Sequence, residues 1–205
     1  MPGGGVTEWR GWSFADPDWW ASVAGDQGRS GFTQAAGATA IADPDEWDDA
    51  PHDAGTFNAW LESPVIDVSM LSSSSAKLAF HSSWRPEDNQ RAVITASFDG
   101  GEEIMIADWQ SQQGDAFKPD ATDETVVLDL PMPDGAQILE LRFGLLDAGN
   151  DWWWAIDNIA VVGEAVGNRI TLLREDFETL PLGPSIDEPA ADGVWTDTPP
   201  VGWEV

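Results

Sequence analysis

Apolar and polar residues alternate along most of this chain with a period of two, the spacing of strands buried on one face. The most regular run is Gln137–Leu146, with Leu139, Leu141 and Phe143 on one side and Glu140 and Arg142 on the other. Ala76–Trp84 sets Ala76, Leu78 and Phe80 against Lys77, Ala79 and His81. Arg91–Phe98 and Glu102–Trp109 flank Asp99-Gly100-Gly101, a hairpin signal. Glu124–Leu130, Trp153–Val162 and Arg169–Phe177 add strands, and Ala38–Ala42 and Glu8–Phe14 add short ones. Gly55–Asp67 is interrupted at Pro64, which predicts an edge or a bulge because proline has no N–H for the ladder.

Asp16-Pro17-Asp18 predicts one short helix ending at Gly25, with Asp16 as N-cap and Pro17 in the first turn. Asp43–Asp49 reads as an acidic loop, Ser72–Ser75 as a polar turn and Gln110–Thr122 as a polar loop. After Phe177, Pro and Gly dominate to the end, with Trp195 and Trp203 standing alone. About nine or ten short strands with regular turns predict an all-β fold, a two-sheet antiparallel jelly-roll sandwich with one short helix near the N-terminus.

Charge narrows the function. The 37 acids against 9 Lys and Arg leave a net charge of −28 over 205 residues. Repulsion from phosphates argues against a nucleic-acid partner. Such a surface suits bound cations or a salty, marine or halophilic setting. Hydrophobic residues make up 42 %, enough for a packed core in place of a disordered acidic tail. Cysteine is absent, so no disulfide staples the fold. No apolar run is long enough for a membrane span. Met1–Gly5 lacks the basic and apolar regions of a leader, so a secreted protein would carry this chain as a fragment.

The stretch Leu146–Gly163 concentrates the candidate chemistry. Asp157-Asn158 interrupts an apolar strand, and a buried carboxylate needs a partner. A metal ion, a salt bridge to Arg142 and an Asx-type backbone cap are the alternatives. Thirteen tryptophans and no tyrosine exceed what one small sandwich ordinarily buries, so an exposed aromatic cluster that stacks sugar rings is expected. The candidates are Trp152 and Trp153, divided between faces by the strand pleat, with Trp20 and with Trp84 beside Arg85. Enzyme motifs are lacking: His52 and His81 are the only histidines and no Gly-x-Ser-x-Gly occurs.

The segments REDFETLPLGP (174–184) and WWWAIDNIAVVG (152–163), with LESPVIDVS (61–69) and ITASFDGG (94–101), resemble the MAM-like and cleaved-adhesin-like jelly-roll modules of secreted bacterial proteins. The resemblance implies a non-catalytic extracellular module for adhesion or carbohydrate binding, with a glycan or cell-surface polymer as partner. It also implies a structural Ca²⁺ tying Asp157 to Glu178; Asn58 and the acidic loop, with Asp45 and Asp48, are the candidates to complete its shell. The order departs from the family, because Asp176-Phe177-Glu178 should open the module and here comes last. Residues 1–163 would then form the main body, 164–168 a connector, and 169–205 the permuted opening segment. That segment would complete the same module or a neighbour's, in a tandem array, a circular permutant or a strand-donating oligomer. Self-association through the C-terminal strand and a glycan-active enzyme are the alternative functions.

Overall fold

The computed structural model describes residues 3–72, 75–165 and 167–205. Half of the polar turn at Ser72–Ser75, namely Ser73 and Ser74, falls outside them, as do Met1 and Pro2 at the start and Val166 in the expected connector.

Among the described residues, twelve strands form two antiparallel sheets: β1 (Trp12–Ala15), β2 (Thr39–Ala42), β3 (Phe57–Glu62), β4 (Ile66–Asp67), β5 (Lys77–Trp84), β6 (Arg91–Phe98), β7 (Ile104–Gln110), β8 (Ala121–Asp129), β9 (Ile138–Ala148), β10 (Trp154–Ala165), β11 (Asn168–Glu175) and β12 (Trp195–Thr196). One sheet runs β12-β1-β2-β10-β5-β8, with β11 also on β10. The other runs β3-β9-β6-β7, with β4 also on β9. The inward faces meet in one core that includes Leu78, Phe80, Leu141, Phe143 and Trp154. Pro64 divides β3 from β4 along the same neighbour, the break expected there.

Among the described residues there are two α-helices where one was expected. In α1 (Pro17–Val23), the Asp16 carboxylate accepts from Trp19 N at 2.8 Å. The acidic loop is corrected to a second helix, α2 (Pro44–Asp48), capped by Asp43 through Glu46 N at 3.3 Å. The same Asp-Pro pair starts both, because proline's fixed φ suits the first turn and the aspartate satisfies a free N–H. Short 3₁₀ turns lie at Thr7–Trp9 and Arg29–Gly31.

The expected connector 164–168 is corrected as well. β10 runs to Ala165 and β11 starts at Asn168, so the two strands make a hairpin. The C-terminal segment is tied to the N-terminal one within this chain. Phe14 pairs with Thr196 and Ala15 with Trp195. The fully buried Glu8 carboxylate accepts the backbone N–H of Ile186, of Asp187 (2.9 Å) and of Glu188 (3.2 Å). Trp9 Nε1 donates to Glu188 at 2.8 Å.

Candidate functional site

Parity along β3 and β9 decides which side chains leave the core. Phe57, Ala59 and Leu61 point inward, so Asn58, Trp60 and Glu62 face out. On β9, Leu139, Leu141 and Phe143 point inward, so Glu140, Arg142 and Gly144 lie on the outer face. The ladder sets Trp60 opposite Gly144 and Glu62 opposite Arg142. It continues into β6 with Arg142 opposite Thr95 and Glu140 opposite Ser97. Neighbouring rows of polar side chains, Glu62–Arg142–Thr95 and Glu140–Ser97, therefore lie on the outer face of the five-stranded sheet, with Trp60 in the row beside them.

Gly144 makes room for the indole. A Cβ there would stand 2.6 Å from Trp60 Cζ3, so any larger residue would lift the ring off the sheet. Arg142 lies against that ring, its guanidinium 4.4 Å from the centroid. Arg142 Nε donates to Glu62 Oε1 at 2.9 Å and Nη1 to Glu103 Oε1 at 2.7 Å. The hydrogen bond from Arg142 is the main force holding the Glu103 carboxyl below its ordinary range. A cleft of about 470 Å³ opens here, lined by Glu62, Thr95, Ser97, Glu103, Glu140 and Arg142. A smaller one of about 160 Å³, between Trp60, Asn58 and Val205, shares Glu62 and Arg142 with it. Fixed carboxylate and guanidinium forks beside an aromatic plate can bind vicinal hydroxyls pairwise while the plate covers an apolar ring face.

The expected aromatic sites lie elsewhere, and three are corrected. Trp20, Trp84 and Trp153 are 0 % exposed and cannot stack a ligand. Trp152 is half-buried, and the Arg85 guanidinium covers its ring at 3.9 Å. The pleat does not sort the triplet, because β10 begins only at Trp154 and Trp152 and Trp153 precede it. Twelve of the thirteen tryptophans are in the core or packed on it, and Trp60 is the remaining one.

The expected metal ligands divide among separate places. Asp157 is fully buried at a bulge of β10, where Asn158 has φ 53°. It accepts Asn158 N at 2.6 Å and Ala36 N at 3.1 Å. The Glu178 carboxylate lies where a side chain on the adjacent Gly37 would be. Burial pushes Asp157 up to about 7 against those two hydrogen bonds, and Glu178 and Asp176 push it further. Arg142 is not its partner, since it sits on the outer face of the other sheet.

Asp45 instead pairs with Arg29 at 2.9 Å, and Asp48 with His52. Asn58 accepts from Asp147 N at 3.1 Å. These three are corrected from ligands to partners of other groups: Asp45 and Asp48 are taken up by Arg29 and His52, and Asn58 bridges β3 to β9. Among the described residues, no group of three or more His, Asp or Glu is arranged to hold a metal ion.

Neither a family model nor a curated protein matches this chain. Among solved structures it is similar to the module TmCBM61, determined in complex with β-1,4-galactotriose. The identity is 13 % over 66 % of this chain and 77 % of that one, with a TM-score of 0.40. A likeness at that level bears on neither ligand nor site. Among the described residues no helix is long and apolar enough to cross a membrane.

Proposed function

We propose that this chain is a non-catalytic glycan-binding module of an extracellular protein, binding on the outer face of the five-stranded sheet. The observation that carries the reading is Trp60, the one tryptophan not used by the core, laid over Gly144 beside the Glu62–Arg142–Glu103 array. Trp60, half-buried with the Arg142 guanidinium 4.4 Å over its ring, offers the stacking plate once that guanidinium turns to donate to the ligand, and Glu62 and Glu103 accept. Affinity electrophoresis against neutral, aminated and acidic soluble polysaccharides tests this. At least one should retard the protein, without release of reducing ends, and Trp60→Ala should weaken retardation about ten-fold or more, the loss expected of a buried aromatic anchor. A panel that leaves migration unchanged, or a Trp60→Ala protein that binds as well as the parent, would defeat the reading.

We also propose that Ca²⁺ stabilises the module, held by Asp157 and Glu178 with backbone oxygens completing the shell. What supports this is the donor set: a fully buried carboxyl facing two further acids, with no lysine or arginine paired to it among the described residues. Bound there, the ion would supply the charge that lets Asp157 stay ionised. Asp157 would anchor β10, and Glu178 the segment after β11. Ca²⁺ at a hundred-fold excess over its Kd should stabilise by about 2.7 kcal/mol, a rise of ~5–10 °C in Tm. Glu178→Gln should remove most of that gain. A melting curve indifferent to chelator and to added Ca²⁺ would discard the ion.

A further inference from the structure

The cleft carries more negative charge than its one guanidinium can balance. Arg142 is already shared between Glu62 and Glu103. Arg91, the other base on this face, is engaged by Asp108 at 3.1 and 3.0 Å. Glu140 lines the same cleft two residues from Arg142, is exposed, and has no ion-pair or hydrogen-bond partner among the described residues. Thr95 is a second, independent sign of a ligand. Its side chain is 6 % exposed and lines the cleft, and its hydroxyl lies beside Glu103 without forming a hydrogen bond of ordinary geometry. A buried hydroxyl so poorly paired gains from a further polar partner, which a ligand in the cleft can supply.

We propose that the cleft binds an amino-sugar oligomer, with Glu140 pairing with a protonated amine of the ligand. The inference rests on the glycan-binding reading and narrows it. An acidic glycan meets uncompensated carboxylates here and the field of a chain with net charge −28. A neutral glycan hydrogen-bonds to Thr95, Ser97, Glu62 and Arg142 but leaves Glu140 without a counter-charge. A ligand amine completes the set: Glu140 neutralises it, and the neighbouring hydroxyls fill the positions along the row. The charge on Glu140 is thus the specificity element, and the Trp60 plate is indifferent to it.

Calorimetric titration with a β-1,4-linked glucosamine hexamer, its N-acetylated counterpart and an oligogalacturonate tests the assignment, at mildly acidic pH and physiological salt. The glucosamine hexamer should bind about ten-fold more tightly than the N-acetylated one, the size of one solvent-screened ion pair. Glu140→Gln should bring the two within about two-fold of each other. Asp192→Asn, an exposed acid on the C-terminal loop, should leave the preference intact, which separates site binding from the attraction of any polycation to an acidic protein. Equal affinity for the two hexamers, a preference that survives Glu140→Gln, tighter binding of oligogalacturonate, or no binding of the glucosamine hexamer would each overturn the amine assignment. Retention of a Trp60-dependent interaction with any neutral or acidic polysaccharide in those cases would leave the glycan-binding reading standing, and the loss of every such interaction would remove both.

Discussion

Replacing Arg29 with methionine should lower the melting temperature by about 10 °C. Arg29 is 1 % exposed and is the single base among three acids at the end of the sandwich. Its Nε donates to Asp43 at 2.9 Å, and its Nη2 lies 2.9 Å from both Asp45 and Glu46. Its guanidinium also lies over the Trp153 ring, 4.6 Å from the centroid. Methionine keeps much of the packing volume but strands Asp43, whose side chain is 0 % exposed, as a charge out of water. Removing one partner of a buried pair costs about 3–5 kcal/mol, because the other charge stays buried alone. Lysine at the same position should recover only part of the loss, since it cannot face several carboxylates with a rigid fork. Thermal unfolding of the Arg29→Met and Arg29→Lys proteins checks this, and a methionine variant that melts with the parent would show that the three acids discharge at no cost.

Acidification should stabilise the protein, and Glu46 should account for a separable part of the effect. One guanidinium cannot neutralise two buried acids and a half-buried third. Burial raises Glu46 from 4.5 to about 8, and repulsion from Asp43 adds to it, against the attraction of Arg29. The folded state therefore holds this proton more tightly than the unfolded chain does. Its contribution is complete below about pH 4.5 and is lost as pH rises through about 8. A shift of that size corresponds to about 3–5 kcal/mol across the window. Glu46→Gln mimics the protonated form. It should melt like the parent below about pH 4.5, gain on it steadily as pH rises toward 8, and show a flatter pH profile. Burial pushes Asp45, Asp157 and Glu188 upward as well, so the comparison between parent and variant carries the test. Parallel profiles for the two proteins would mean that Glu46 is ionised throughout.

The strands were legible because the pattern of burial on one face is local and periodic. Gln137–Leu146 and the Asp99-Gly100-Gly101 hairpin show this, the latter with Asp99 and Gly100 both at positive φ. The second helix was legible too, in the Asp43-Pro44 pair, but a dense run of acids obscured a signal already recognised at Asp16-Pro17. The site was misread for a different reason. Three adjacent tryptophans stand out, yet their number says nothing about exposure, and the core used them. The informative residue was a tryptophan on the polar side of an alternating strand, at Asn58-Ala59-Trp60-Leu61-Glu62, facing a glycine on the next strand's polar side. Parity identifies Trp60, but its pairing with Gly144 depends on a register between distant segments. The Glu8 clamp and the two-residue strand at Trp195 were out of reach for the same reason: one or two residues carry no period.

The Glu8 clamp has a consequence for the order of events during synthesis. Its hydrogen bonds span 178 to 180 residues. The free edge of β1 is covered only by β12, from the same late segment. Phe177, Trp195 and Trp203 complete the core from there. Until the ribosome has released that segment, β1 presents an unpaired edge above an open apolar surface. Closure of so long a loop makes folding slow, and the nascent chain aggregation-prone, for a protein of this size. The many like charges spread over the chain keep such half-finished chains apart while they wait.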